Sequence, residues 1–191
     1  MIINNFFSFL FGCCFGSFIN VLVYRLPIGE SILFPGSKCT KCNRGISWYD
    51  NIPILSWIFL KGKCRKCNKK ISFIYPVIEI LTGLLFVLND YSMPSRFFLE
   101  SQTITTFCGW FFISILLTMS ILDIKHLWLP SIVCNIGIAF AICLSILIEL
   151  RYLQISSYLL ISETIFTAFL GYLFFQFIRL IGLKIYKKPA M

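Results

Sequence analysis

The chain has 191 residues, of which 58% are hydrophobic and only 13% charged, and its mean hydropathy is +0.85. Soluble domains carry charge on about a quarter of their residues, so an ordinary soluble globular protein is excluded. Seventeen basic residues against eight acidic ones give a net charge of +9, and the distribution of that charge argues against nucleic-acid binding.

Residues 1–24 carry no charge and predict a first transmembrane helix. No Lys or Arg precedes this stretch and no small-residue cleavage site follows it, so it reads as a retained span rather than a signal peptide. Gly12, Gly16 and Ser17 are small residues spaced to let a second helix approach closely. Asn20 lies in the apolar span and needs a hydrogen-bond partner there. Arg25 marks the interface and Pro27 ends the helix.

A long polar loop follows, over 27–72. It carries two Cys-x-x-Cys pairs, Cys39/Cys42 and Cys64/Cys67, separated by the 21 residues 43–63. Two such knuckles can converge as four thiolates on one tetrahedral zinc ion, clipping a segment too small and polar to build its own core. A thiol–disulfide role is the competing reading of a Cys-x-x-Cys pair. Zinc is preferred because there are two pairs and no βαβ pattern beside them. The aromatic middle, Trp48 to Trp57, suggests a segment at the membrane surface, and Asp50-Asn51 suggests a cap for a short helix. The other five cysteines (Cys13, Cys14, Cys108, Cys134 and Cys143) fall in apolar helices and read as small buried hydrophobes.

A second span over 71–88 carries one charge, Glu79. A carboxyl group at that depth is expected to face the bundle interior, in a functional role or bonded to Asn20 or a backbone carbonyl. Charge-free runs at 104–122, 127–148 and 164–178, the last extended toward Leu183, predict three more helices, five in all. Asp123 ends the third of these helices and opens the turn Asp123 to Pro130. It is either a plain helix-end acid or one carboxyl of an intramembrane aspartyl protease, which needs two. His126, the sole histidine, reads as an interfacial residue.

Five crossings place fifteen of the seventeen basic residues on one side, leaving Arg96 and Arg151 opposite. The positive-inside rule makes that side cytoplasmic, with the cysteine loop and Asp123 on it. A reducing compartment favours metal over disulfides. The fold class expected is therefore an all-α integral membrane bundle with a small four-cysteine cytoplasmic loop, its basic residues serving orientation and the lipid bilayer rather than nucleic acid.

Gly16-Ser17-Phe18-Ile19-Asn20 through Tyr24-Arg25-Leu26-Pro27, both cysteine pairs, Trp48-Tyr49-Asp50-Asn51-Ile52-Pro53, Tyr75-Pro76-Val77-Ile78-Glu79 and the Asp123 to Pro130 run together resemble the bacterial type IV prepilin peptidases. The resemblance implies an inner-membrane aspartic endopeptidase that removes leaders from prepilins or pseudopilins and N-methylates the new terminus. It implies zinc on Cys39, Cys42, Cys64 and Cys67, Asp123 as the first catalytic aspartate, and S-adenosylmethionine as methyl donor, with no donor site assignable. It further implies an N-terminal region over 1–90 and a partial peptidase domain over 100–191. The family's second aspartate lies in a Gly-x-Gly-Asp motif, which is absent from these 191 residues. Glu163, expected near the opposite face, cannot replace it. The expectation is of a truncated, split or fragmentary chain that does not cleave alone, with a non-catalytic scaffold for pilus or type II secretion assembly as the alternative.

Overall fold

The computed structural model describes residues 2–92, 102–127 and 130–152. Its helices are α1 (Ile2–Arg25), α2 (Leu55–Phe59), α3 (Ile74–Ser92), α4 (Gln102–His126) and α5 (Ser131–Tyr152), with short 3-10 turns at Leu26–Ile28 and Trp48–Asn51. Among the described residues there is no β-strand, only two isolated bridges. The chain divides into two compact units, Met1–Val133 and Cys134–Met191. The first unit contains all of α1 to α4, the loop and Asp123, and the second contains the remainder of α5.

Among the described residues, three helices are long and apolar enough to cross a bilayer: Asn5–Ile28, Ile74–Ser92 and Thr106–His126. These match three of the five expected spans. In α5 the apolar stretch among the described residues is Ser131–Leu144. The expected fifth span and Glu163 lie outside the described residues. Large apolar side chains point outward along the three spans, such as Phe7, Leu84 and Phe112, as lipid-facing surfaces do.

α1 and α3 pack antiparallel at very short range, and the glycines are the reason. A Cβ on Gly16 would lie 2.6 Å from the Glu79 Cα, and one on Gly12 would lie 2.7 Å from the Gly83 Cα. Lipid gives no hydrophobic drive to helix association, so backbone proximity of this kind supplies the packing energy. α4 lies against the pair through rings. Phe86 and Trp110 stack at 5.0 Å with an interplanar angle of 5°, and the Trp110 indole N–H donates to the Phe86 carbonyl at 3.2 Å.

Two clusters orient the three helices. At one end Ser8 donates to Asp90, Asn5 to the Tyr91 hydroxyl at 2.7 Å, and Asn89 to the Thr106 carbonyl at 3.2 Å. At the other end, Ile19, Val23, Ile78 and Leu122 form a buried core backed by Leu26, Leu117 and Ile121. That core brings the C-terminal end of α4 to the end of the bundle from which the 27–73 loop emerges.

Candidate functional site

The loop is built from two copies of one local structure. In the first, the Cys39 N–H donates to the Arg44 carbonyl at 3.0 Å and the Asn43 N–H to the Cys39 carbonyl at 2.9 Å. In the second, Cys64 bonds to Lys69 and Asn68 to Cys64 at the same distances. Asn43 and Asn68 both adopt φ 54°, a left-handed conformation that Asn tolerates better than most residues. Each knuckle is closed by an antiparallel bridge, Lys38 to Gly45 and Lys63 to Lys70.

The knuckles bring four sulfurs together. The Sγ atoms of Cys39, Cys42, Cys64 and Cys67 all lie within 4.8 Å of one another, with Cys39 and Cys67 at 4.0 Å. A tetrahedral thiolate set at about 2.3 Å from its ion has sulfur–sulfur edges of about 3.8 Å, so a small contraction suffices to hold a metal. Backbone N–H groups of Cys67 and Lys66 aimed at the Cys64 sulfur hold its thiol down at about 7, which favours the ligating thiolate.

Two arginines order the rest of the loop. Arg25, 4% exposed, donates to the carbonyls of Ser31, Ile32, Pro35 and Gly36 at 2.7 to 3.1 Å. Its planar fork of donors is matched to four inward-turned carbonyls, which is how the 26–36 segment closes over the end of α1. Arg65 holds the Asp50 carboxylate with two bonds of 2.7 and 2.6 Å and lies 5.5 Å over the Tyr49 ring. This joins the second knuckle to the Trp48–Asn51 turn, and the guanidinium holds the Asp50 carboxyl below the usual carboxylate range.

Between the loop and the ends of α1 and α3 lies a cavity of about 370 Å³, whose lining includes Ser17, Asn20, Tyr24, Trp57, Tyr75 and Glu79. Glu79, 7% exposed, accepts the Ile54 N–H at 2.7 Å, and the Ser17 hydroxyl is a second donor to it. Ile54 sits at φ 61°, ψ −55°, and the Leu55 N–H closes a γ-turn onto the Pro53 carbonyl at 2.6 Å. A β-branched residue in that conformation is strained by about 1–3 kcal/mol and persists only where its surroundings enforce it. The Glu79 carboxylate is part of that enforcement.

Asp123 lies in the last turn of α4, next to the buried Leu122, with its side chain exposed. Its carbonyl accepts the Leu127 N–H at 2.8 Å. It shares the loop end of the bundle but does not line the cavity.

Residues 10–93 match the bacterial peptidase A24 N-terminal domain. Over 185 residues, 97% of this chain and 51% of the relative, the sequence is 31% identical to the prepilin leader peptidase/N-methyltransferase of Myxococcus xanthus (strain DK1622). These matches support the prepilin peptidase family for this chain. A prepilin leader peptidase/N-methyltransferase of Klebsiella pneumoniae is 38% identical over 130 residues, covering 65% of this chain and 54% of that protein. The type 4 prepilin-like proteins leader peptide-processing enzyme of Escherichia coli O78:H11 (strain H10407 / ETEC) is 33% identical over 139 residues, with coverages of 63% and 49%. The chain thus spans about half the length of the curated relatives it matches. No solved structure matches it.

In this chain several expected contacts are replaced by others. Glu79 bonds to the Ile54 N–H rather than to Asn20 or a carbonyl, while Asn20 donates to the Tyr75 carbonyl at 3.2 Å. Asp50 caps no helix and pairs with Arg65 instead, because α2 starts later, at Leu55, without a side-chain cap. Of the five helix cysteines only Cys13 is buried, and Cys14 and Cys143 are exposed on their helices. Arg25 is more than an interface marker, and the signal for its role was weak: four carbonyls turned toward one guanidinium leave no residue pattern.

Proposed function

We propose that the protein acts in the bacterial inner membrane as an aspartic endopeptidase that removes basic leaders from prepilins or pseudopilins, with N-methylation of the terminus so formed. The observation that carries this reading is the position of Asp123, at the membrane-span end that also bears the metal-fit loop. The names of the relatives, which cite leader peptidase and N-methyltransferase, support the reaction class. In this proposal that end is cytoplasmic, following the basic residues concentrated in the loop.

A substrate of this kind is an apolar helix with a basic leader. The helix lies along the bundle while the leader stays at the charged face, and the scissile peptide meets Asp123 where water enters. One ionised carboxyl takes a proton from water as its oxygen attacks the carbonyl carbon. A second, protonated carboxyl polarises the carbonyl oxygen and later passes a proton to the leaving amine. Asp123 is assigned one of these roles, and a Gly-x-Gly-Asp aspartate the other.

Cys39, Cys42, Cys64 and Cys67 would hold one structural zinc ion. The bound ion supplies a cross-link between the knuckles, and the loop residues then keep the cavity and the helix ends in register. S-adenosylmethionine is the proposed methyl donor.

The test is reconstitution. The 191-residue chain is co-produced in a peptidase-deficient bacterium with a prepilin and a separate polypeptide carrying the family's Gly-x-Gly-Asp segment. Leader removal is expected only with both polypeptides present, and is expected to vanish with Asp123→Asn. Leader removal that survives Asp123→Asn would take Asp123 out of the mechanism. Stable co-purification with the prepilin but no cleavage would favour a scaffold.

A further inference from the structure

The cavity beneath the loop is ringed by cations that leader cleavage does not use. Its lining takes in eight Lys and Arg residues against two acids, Glu79 and Asp50. Three of the eight are engaged within the protein: Arg25 by four carbonyls, Lys38 by Glu30 and Arg65 by Asp50. The other five, Lys41, Arg44, Lys66, Lys69 and Lys70, are exposed and form no ion pair among the described residues. A metal-bound cysteine cluster would balance part of this charge, but four thiolates around a dication leave only about two negative charges. A cationic surplus remains even with Glu79 ionised. The duplicated knuckle sets its layout, since Cys39-x-Lys41-Cys42-Asn43-Arg44 is repeated as Cys64-x-Lys66-Cys67-Asn68-Lys69. The surplus sits where the loop meets the ends of α1 and α3. The same loop leaves Phe34, Trp48 and Phe59 exposed by 77%, 81% and 79%, and large apolar rings among lysines are the composition of the headgroup–acyl boundary.

We propose that this cavity is a binding site for the phosphate group of an anionic phospholipid, held by Lys41 and Arg44 from one knuckle and by Lys66 and Lys69 from the other. Basic pockets beside the ends of membrane helices take anionic headgroups by this chemistry. A volume of about 370 Å³ is in the range of small-molecule sites. The apolar part of the lining, Val21, Trp57 and Ile71 among it, suits the glycerol and first methylenes of a lipid rather than a fully hydrated phosphate ion. A lipid seated there pins the cysteine loop to the bilayer. Under the reading given above, it also offsets the repulsion that a basic leader meets at this face. Binding itself depends only on the loop lying at a membrane surface.

Native mass spectrometry of the zinc-loaded 191-residue chain, released from detergent micelles of defined lipid content, measures this without any turnover, so failure of leader cleavage leaves the result intact. Phosphatidylglycerol is compared with phosphatidylcholine, which has the same phosphate but cancels its charge with a choline. Each Lys or Arg near an anionic headgroup is worth about five-fold in affinity. The wild type is therefore expected to bind phosphatidylglycerol about ten-fold tighter or more, and Lys66→Gln/Lys69→Gln to bring the two lipids within about two-fold of each other. Lys41→Gln/Arg44→Gln, on the other knuckle, should do the same, and it decides if the first variant loses its zinc. Lys61→Gln/Lys63→Gln removes equal charge from exposed positions outside the lining and should keep the preference. Loss of the preference in a zinc-loaded lining variant, with its retention in Lys61→Gln/Lys63→Gln, supports the site. No preference in the wild type, an unchanged one in both lining variants, or an equal loss in Lys61→Gln/Lys63→Gln overturns it. Glycerol phosphate added at the lipid's concentration is expected to leave the lipid bound, and displacement by it would overturn the lipid as occupant.

Discussion

The Glu79 carboxylate, in the second turn of α3, accepts the Ile54 backbone N–H at 2.7 Å across 25 residues of sequence. A membrane helix thereby holds a strained turn in the polar loop. Breaking the bond should release the turn. Glu79→Ala is expected to speed hydrogen exchange at the Ile54 amide by roughly ten- to hundred-fold, the equivalent of a charged hydrogen bond. Glu79→Gln should change it less. Unchanged exchange in Glu79→Ala would mean that the turn is held by other contacts.

Arg25 leads to a sharper expectation. Lysine keeps the charge but is a point donor of three bonds, and it cannot span four carbonyls spread over Ser31 to Gly36. Arg25→Lys should expose the 26–36 segment to proteases under conditions where the wild type resists. Losing one hydrogen bond from the charged guanidinium costs about 1.5–3 kcal/mol. Equal resistance in the two proteins would refute the role given to the guanidinium.

How far the sequence revealed all this depended on the range of the interaction. Apolar runs with at most one charge located α1, α3 and α4, because a bilayer demands about 20 apolar residues whatever the packing. Repeated Cys-x-x-Cys-Asn knuckles located the metal cluster, because their geometry is local. Gly12 and Gly16 pointed to close helix approach, and the structure supplies α3 as the partner. What stayed hidden was long-range and made by the backbone. The Ile54 N–H and the four carbonyls around Arg25 are not side chains, so no residue type announced them. Asp50 looked like a cap by local rules, yet a bidentate arginine fifteen residues away competed successfully for it. Glu79 was legible as anomalous, while its partner was not.

The α1–α3 contact predicts its own mutational sensitivity. A side chain at Gly16 meets the α3 backbone at Glu79 and Ile78, which cannot rotate away. Gly16→Leu should therefore force the helices apart and destabilise the pair by about 1–3 kcal/mol or more. Denaturation in mixed micelles, followed by Trp110 fluorescence, is the measurement. Gly36→Leu, where a Cβ meets nothing within 4 Å, should leave that transition unmoved. Similar effects at both positions would contradict the packing.

Cys64 gives a pH-dependent expectation for the metal-free protein. Its thiol is lowered from an ordinary 9.0 to about 7, so its nucleophilic thiolate persists to lower pH. The alkylation rate of Cys64, read by mass spectrometry, should rise through a midpoint near 7. Zinc should suppress the reaction, and Cys64→Ser should lower metal content from one ion per chain. A midpoint near 9 would remove the backbone donors from the account.

Sidedness is the claim on which the peptidase reading turns, since Asp123 and the loop must face the same compartment as the leader. Cysteines introduced one at a time at Thr40, Lys125 and Tyr91, all exposed positions, can be labelled with a membrane-impermeant maleimide in the zinc-loaded protein once the five helix cysteines are replaced by alanine, with the zinc-held loop cysteines of the otherwise unsubstituted protein as background. The account predicts that Thr40→Cys and Lys125→Cys react only in inverted inner-membrane vesicles, and Tyr91→Cys only in right-side-out ones. Labelling of Thr40→Cys and Lys125→Cys from opposite sides, or of both from outside, would contradict it.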